Sequence, residues 1–529
     1  MLTLNRVSYI HPNGDRLFEN VDLAIRPHNK IALIGNNGAG KSTLLQLLAG
    51  QLRPASGTIS QETKPYYVPQ HTGQFNDMTV AEALHVDRPL LALQEIIAGR
   101  ATDEHLAALD DDWLLEERCR EAFTAWGLED ALLHRRMDSL SGGQKTKVFL
   151  AGIAIHQPDV VLLDEPSNHL DTAGREQLYH YISTTDHSLV VVSHDQTLLR
   201  LLPLVYALER RGLTLYGGDY DFYTEQKKIA EDALQHDLKS KEKALRKAKE
   251  VERESLERKQ RLDARGKKKQ EKAGLPTISM NTFRNNAEKS TSRMKDVHAD
   301  KIQNIAQELS TLRQEIRDID KMKIDLDDAN LHHGKRLLKA HDINFAYEDR
   351  MLWQQPVSFL VTSGERVAIT GGNGSGKTTL LKIILGEIQP GAGTLDRAAI
   401  RSVYIDQDYS WIDLSVTVLE QAQRVNDSKL PEHEIKIRLN RFLFSKDAWD
   451  KPCRALSGGE KMRLMLCCLT ISNQAPEMIV LDEPTNNLDI QNTAILIAAI
   501  RDYRGTLIVV SHDKHFLEQV RVEREIAVY

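Results

Sequence analysis

The sequence lacks any long apolar run. Crossing a bilayer takes roughly eighteen or more consecutive apolar residues, whereas runs such as Val160–Leu163 and Ala494–Ile500 are far shorter and end in charge. The chain is therefore expected not to span a membrane. The N-terminal MLTLNRVSYIHPNGD has no basic region followed by an apolar core and a small-residue cleavage site, so a soluble, cytoplasmic location is expected. Cysteine is scarce, and Cys119, Cys453, Cys467 and Cys468 show no spacing of a disulfide framework or zinc site; they read as small buried hydrophobes. Positive charge is not in excess either. A net charge of −6 argues weakly against nucleic acid as a partner, although an average can hide a local basic arm.

What is present is ordinary globular composition, 41% hydrophobic and 27% charged over 529 residues, too long a chain for one core. It is also a repeat. IALIGNNGAGKSTLLQLLAG at Ile31–Gly50 returns as VAITGGNGSGKTTLLKIILG at Val367–Gly386; LSGGQ at Leu140–Gln144 returns as LSGGE at Leu456–Glu460. VVLLDEPSNHLD at Val160–Asp171 and VVVSHD at Val190–Asp195 return as MIVLDEPTNNLD at Met478–Asp489 and IVVSHD at Ile508–Asp513, both shifted by 318 residues. Such duplication predicts two copies of one domain. Gln70 and Ser141 are 71 positions apart against 50 for Gln407 and Ser457, which places a small helical insertion in the first copy near Leu91–Glu116.

Both glycine-rich stretches follow an apolar strand and precede a helix, the context that a phosphate-binding loop requires. In Gly35, Asn36, Asn37, Gly38, Ala39, Gly40, Lys41, Ser42 and Thr43, and again in Gly371, Gly372, Asn373, Gly374, Ser375, Gly376, Lys377, Thr378 and Thr379, the glycines let backbone N–H groups wrap phosphates. Lys41 and Lys377 would then reach the β and γ oxygens. Ser42 and Thr378 are expected to hold Mg2+ together with Asp164 and Asp482, the acids at the ends of apolar strands. The following acids, Glu165 and Glu483, are expected to orient or deprotonate the attacking water. His194 and His512, each past a second apolar strand, are placed to contact the γ-phosphate. Ser141, Gly142 and Gly143, and Ser457, Gly458 and Gly459, open helices without a lysine, which makes anion sites incomplete until another domain presents a phosphate.

Phosphate loop, glutamine (Gln70, Gln407), LSGG, DEP and histidine switch, in that order and twice, resemble the ATP-binding-cassette ATPases. The resemblance implies two P-loop α/β nucleotide-binding domains that close head to tail on two ATP molecules within one monomer. Lys41, Glu165 and His194 would then work with Ser457, while Lys377, Glu483 and His512 would work with Ser141. It also implies that Gln70 and Gln407 join the Mg2+ sites and that an aromatic stacks on adenine. That aromatic is Tyr347 in the second copy; the same place in the first holds His11, with Tyr9 two residues earlier.

Between the copies, 227–335 is poor in aromatics and carries 27 Lys/Arg against 20 Asp/Glu. Ile302, Ile305, Leu309, Leu312, Ile316 and Ile319 follow the a/d spacing of a coiled coil, and Ile229–Leu262 is helix-prone with a looser stripe through Leu234, Leu238, Leu245 and Val251. A helical hairpin is expected, with Gly266, Gly274 and Pro276 breaking the first limb and the turn near Gly266–Lys295. The segment Arg258–Lys295 holds twelve basic and three acidic residues. Domains are expected at 1–226, 227–335 and 336–529.

Tandem cassettes joined by a basic helical hairpin resemble the ABC-F translation factors, and YGGDYDFYTEQKK at Tyr216–Lys228 looks like that family's passage into its linker. The resemblance implies a ribosomal partner, with rRNA and tRNA near the linker, in translation regulation or antibiotic-target protection. It also likens the insertion near Leu91–Glu116 to a short ribosome-contacting arm. Two other readings stay open: the ATPase of a transporter with separate membrane subunits, and a DNA-associated ATPase.

Overall fold

The structure is a computed structural model. It describes residues 1–12, 14–128, 133–209, 212–273, 299–310, 334–347, 350–427, 429–472, 476–486 and 488–529. One compact unit comprises Met1–Asp221 and Asp320–Tyr529, and a second comprises Phe222–Ile319.

The compact unit holds two cassettes built alike. The apolar runs Val160–Asp164, Ser188–Val192, Met478–Asp482 and Thr506–Val510 are buried along their whole length, the signature of strands covered on both faces. In the first cassette the sheet order is Tyr66–Val68, Val160–Asp164, Ser188–Val192, Lys30–Ile34, Leu204–Glu209 and Gly212–Tyr216, parallel except for the last pair. The second has the order Ser402–Ile405, Met478–Asp482, Thr506–Val510, Arg366–Thr370 and Arg524–Ala527, all parallel.

A three-stranded antiparallel sheet accompanies each, formed by Arg16–Ile25, Leu2–Ile10 and Ser56–Gln61 in the first and Val357–Thr362, Arg336–Asn344 and Ala392–Arg397 in the second. The phosphate-loop helix belongs to a core drawn from both sheets: Leu44, Leu45, Leu47 and Leu48 pack with Leu4, Val21, Ile31 and Val190, and Leu380, Leu381, Ile383 and Ile384 pack with Val361, Val367 and Ile508. Burying each such side chain contributes about 1.5–3 kcal/mol. That packing fixes the helix start, and with it the phosphate loop.

Before the LSGG motif the cassettes diverge. The first has helices Val80–Ala83, Asp87–Ile97, Asp103–Leu109 and Leu115–Ala125, and the second, among the described residues, has Val418–Arg424 and Glu432–Arg441. Asp87–Ile97 and Asp103–Leu109 pack on one another through Ala92, Leu93 and Leu109.

The linker unit contains a helix, Tyr220–Ala273, 54 residues long. It starts ahead of the expected boundary at Lys227 and runs straight through Gly266, which corrects the expected break there. One glycine costs a helix only about 1 kcal/mol, and the surrounding Lys, Arg and Gln are good helix formers. Residues 299–310 are helical too. Lys241 pairs with Glu308, Leu309 is buried, and Ile302 and Ile305 are half-buried, so the two limbs meet along the expected apolar seam. Gly274, Pro276, Leu312, Ile316 and Ile319 lie outside the described residues.

Candidate functional site

Each phosphate loop takes its shape from glycine. Gly38, Gly40, Gly374 and Gly376 have φ between 77 and 97°, left-handed values that glycine adopts without a Cβ penalty. Lys41 Nζ donates to the Gly35 carbonyl at 2.8 Å and to that of Asn36 at 3.3 Å. Lys377 Nζ donates to the Gly371 and Gly372 carbonyls, each at 2.9 Å, and lies 3.3 Å from His512 Nε2. Both ammonium groups fold over their own loops. Burial pulls both pKa values down, opposed chiefly by Glu165 in one site and Glu483 in the other.

Asp164 and Asp482 close their strands. Tyr67 and Tyr404 hydroxyls donate to Asp164 Oδ2 and Asp482 Oδ2, both at 3.1 Å. Thr378 Oγ1 donates to Asp482 Oδ2 at 3.2 Å, and Ser42 hydrogen-bonds Asp164. Burial raises both carboxyl pKa values. Asp164 Oδ1 is buried without a hydrogen-bond partner.

The chain then turns sharply, with Glu165 at φ 50° and Glu483 at φ 47°. A side chain in this left-handed region costs about 1–2 kcal/mol. The turn is held because the two N–H groups donate across the sheet to the Val192 and Val510 carbonyls, each at 2.8 Å. His194 and His512 N–H groups donate to Glu165 Oε2 at 3.2 Å and Glu483 Oε2 at 3.4 Å. Glu165 Oε1 lies 3.3 Å from His194 Nε2, and Glu483 Oε1 lies 3.5 Å from His512 Nε2, but neither oxygen has an aligned hydrogen bond.

Burial pushes the Glu483 carboxyl up to about 7, and Glu165 is raised as well. His512 is held down at about 4 by burial and then by Lys377, and His194 is lowered by burial first. Each site thus pairs a carboxyl inclined to keep a proton with a neutral imidazole.

The second phosphate loop faces the first cassette. A cavity of about 250 Å³ is lined on one side by Ser141, Gly142, Gly143, His169 and Arg175, and on the other by Asn373, Gly374, Gln407, Glu483 and His512. Asn373 Nδ2 donates to the His169 carbonyl at 2.8 Å, and Thr172 Oγ1 lies 3.3 Å from His512 Nδ1. A Cβ on Gly143 would sit 2.7 Å from the His169 oxygen and 2.8 Å from Asn373 Nδ2, so only glycine allows this approach.

The first phosphate loop lines a cavity of about 340 Å³ with His11, Gln70, Glu165 and His194. Ser457, Gly458 and Gly459 are not among its lining residues. The second cassette reaches this loop through Asp489 Oδ2, which accepts from the Asn37 N–H at 3.2 Å. Ser457 caps its own helix in a reciprocal box with Glu460, as Ser141 does with Gln144. Tyr9 packs against the first core, leaving His11 at the cavity. Tyr347 is exposed, with its hydroxyl 3.2 Å from Thr379 Oγ1.

His169, Arg175, Tyr67 and Tyr404 enter the sites without having been singled out in the sequence. The tyrosines could have been found as repeat partners, since each stands three residues before its glutamine. Nothing local marks His169 or Arg175, because their role depends on the other cassette.

Comparison with known proteins agrees with this geometry. The profile of the family described as ABC transporter matches residues 18–168 and 354–486, so the chain belongs to the ATP-binding-cassette family and is an ATPase. The ATP-binding protein YdiF of Bacillus subtilis is 33% identical, covering 96% of this chain and 77% of the relative. ABC transporter F family member 5 of Arabidopsis thaliana is 29% identical, covering 97% and 73%. Within the family the chain is a tandem-cassette member of the ABC-F kind. The solved RNase-L Inhibitor shares its fold at a TM-score of 0.60 and 20% identity, covering 98% of this chain and 87% of that one. An archaeal ribosome recycling factor, aABCE1, solved with a ribosomal stalk protein, gives 0.59 and 20%, covering 97% and 86%. Among the described residues no helix is long and apolar enough to cross a membrane.

Proposed function

We propose that this ATPase acts on the ribosome in the cytoplasm, closing its cassettes on two ATP molecules while the linker meets RNA. The observation that carries the ATP reading is the cavity shared by Ser141–Gly143 of one cassette and Asn373, Glu483 and His512 of the other. Lys41 and Lys377 leave their loop carbonyls for phosphate oxygens. Mg2+, when bound, supplies charge neutralisation between the β- and γ-phosphates. The residues fit it: Thr378 and Asp482 already meet, Ser42 meets Asp164, and Asp164 Oδ1 is a buried oxygen without a partner. Gln70 and Gln407 line the two cavities beside them. Glu165 and Glu483 orient the attacking water and, in their deprotonated form, take its proton. His194 and His512 contact the γ-phosphate. Tyr347 and His11 serve the adenine side.

The ribosomal reading draws support from three sides. Residues Arg258–Lys295 carry twelve basic against three acidic residues on a chain of net −6, and phosphate neutralisation is the main source of nucleic-acid affinity. ABC-F relatives share nearly the whole chain, and one structural neighbour is an archaeal ABCE1 bound to the ribosome with Pelota. The exposed Leu91, Ile97 and Leu106 on the first cassette's extra helices, with Trp113 and Leu114 in the turn that follows them, suit a second contact. The test is pelleting of the Glu165→Gln, Glu483→Gln protein with ribosomes over a range of potassium concentrations. Replacing Lys267, Lys268 and Lys269 by Gln should weaken binding and flatten its salt dependence by roughly one log–log unit for each lysine–phosphate pairing removed, with basal ATPase activity unchanged. Binding and slope that do not respond would remove RNA from the account of these lysines.

A further inference from the structure

Arg175 is a buried arginine placed between groups of both sites. Its Nε donates to the Leu170 carbonyl at 3.3 Å, and a terminal nitrogen lies 3.8 Å from Asp195 Oδ2. Asp195 follows His194, the switch histidine of the first site. It caps the helix Gln196–Leu199 through the N–H groups of Thr197 and Leu198 and accepts from the Tyr179 hydroxyl at 2.5 Å. On its other side Arg175 lines the cavity of the second site with Glu483 and His512. There its charge acts on the carboxyl groups of Glu483 and of Asp513, the residue after His512.

The second cassette has no counterpart. Asp171 and Asp489 cap the two equivalent helices, accepting from Gly174 N–H at 2.9 Å and Asn492 N–H at 2.7 Å, so the registers match and Thr493 stands where Arg175 does. No arginine is among the residues lining the cavity at Lys41. A buried cation is costly unless paired, and this one has acids from both cassettes within its field. A movement of Asp195 on closure of the first site would therefore change where the guanidinium lies relative to Glu483.

We infer that Arg175 is a positioning residue coupling the sites in one direction, so that nucleotide at Lys41 sets turnover at Lys377. The inference rests on the reading that each loop lysine holds one ATP. Turnover at the second site is measured in two backgrounds: Glu165→Gln, whose first site binds nucleotide without hydrolysis, and Lys41→Ala, whose first site does not bind it. The two rates are expected to differ at least fivefold. Adding Arg175→Gln to each should bring their ratio within twofold of one, and Arg175→Lys, which keeps the charge, should restore part of it. Asp195→Asn, which still caps its helix, should collapse the ratio like Arg175→Gln and covers the case in which Arg175→Gln fails to fold. A structural role for Arg175 would lower both rates and leave the ratio unchanged. Equilibrium dialysis with a non-hydrolysable ATP analogue should count two nucleotides on Glu165→Gln and one on Lys41→Ala. A wrong count overturns the site assignment and the inference with it. A correct count overturns the inference alone if the starting ratio is near one or survives the Arg175 and Asp195 changes.

Discussion

The two ATP sites share their motifs and differ in what the opposite cassette brings. At Lys377 the first cassette supplies Ser141–Gly143, His169 and Arg175. At Lys41, among the described residues, Asp489 of the second accepts from the Asn37 N–H at 3.2 Å. A small substitution separates them: Gly174 corresponds to Asn492, whose side chain would lie 2.2 Å from a Cβ on Gly459 and is bonded by Arg463 at 2.5 Å. At the LSGGE helix start Gly459 thus packs against Asn492 of its own cassette, whereas Gly143 of LSGGQ packs between its own cassette's His169 carbonyl and the neighbour's Asn373. Identical local motifs therefore need not have identical surroundings, because residues outside them, such as Gly174 and Asn492, differ between the copies.

The largest expected effect treats the sites alike. Glu165→Gln with Glu483→Gln should retain nucleotide and lower steady-state phosphate release about 10²–10⁴-fold, the usual contribution of a positioned base. Undiminished release would remove both glutamates from catalysis. Crossed pairs then separate the sites. Ser141→Arg with Lys41→Ala damages both and should cost at least tenfold more activity than Ser141→Arg with Lys377→Ala, which damages one; equal losses would contradict the head-to-tail assignment.

The smallest effect is one of stability against pH. Glu483 has an ordinary pKa of 4.5 and a folded value of about 7, so between these values the folded state binds more protons and stability falls as pH rises. Glu483→Gln should therefore raise the nucleotide-free melting temperature at pH 8 by several degrees relative to the parent, with the gain vanishing near pH 4. Glu165→Gln should act in the same direction, since burial also raises that carboxyl. His512 works oppositely, its depressed pKa adding stability as pH rises from about 4 toward 6.5. A melting difference independent of pH would show that the carboxyls are not protonated in the folded protein.

Much of the fold was legible because the phosphate loops, buried strands and helix caps are local. Lys41, Asp164, Glu165 and His194 converge because strands Lys30–Ile34, Val160–Asp164 and Ser188–Val192 are neighbours in one parallel sheet, as apolar runs ending in these residues imply. Arg175 was illegible for the converse reason, since on its own helix it is one polar residue among several. The expected break at Gly266 failed because glycine weakens a helix without ending it when its neighbours favour one. His11 and Tyr9 could be told apart only by packing, since the strand Leu2–Ile10 has irregular register around Tyr9 and ends before His11.

The helix Tyr220–Ala273 sets a rule of phase as well as one of reach. At 1.5 Å per residue it spans about 80 Å, and each added residue turns everything beyond it by about 100°. Inserting two residues would lengthen it by about 3 Å yet carry the far side chains roughly to the opposite face. Seven residues matched in both limbs would lengthen the hairpin by about 10 Å and leave the face nearly unchanged, drifting only about 20°. Length in this linker can therefore vary smoothly only in heptad steps, and shorter changes would redirect its chemistry rather than extend it.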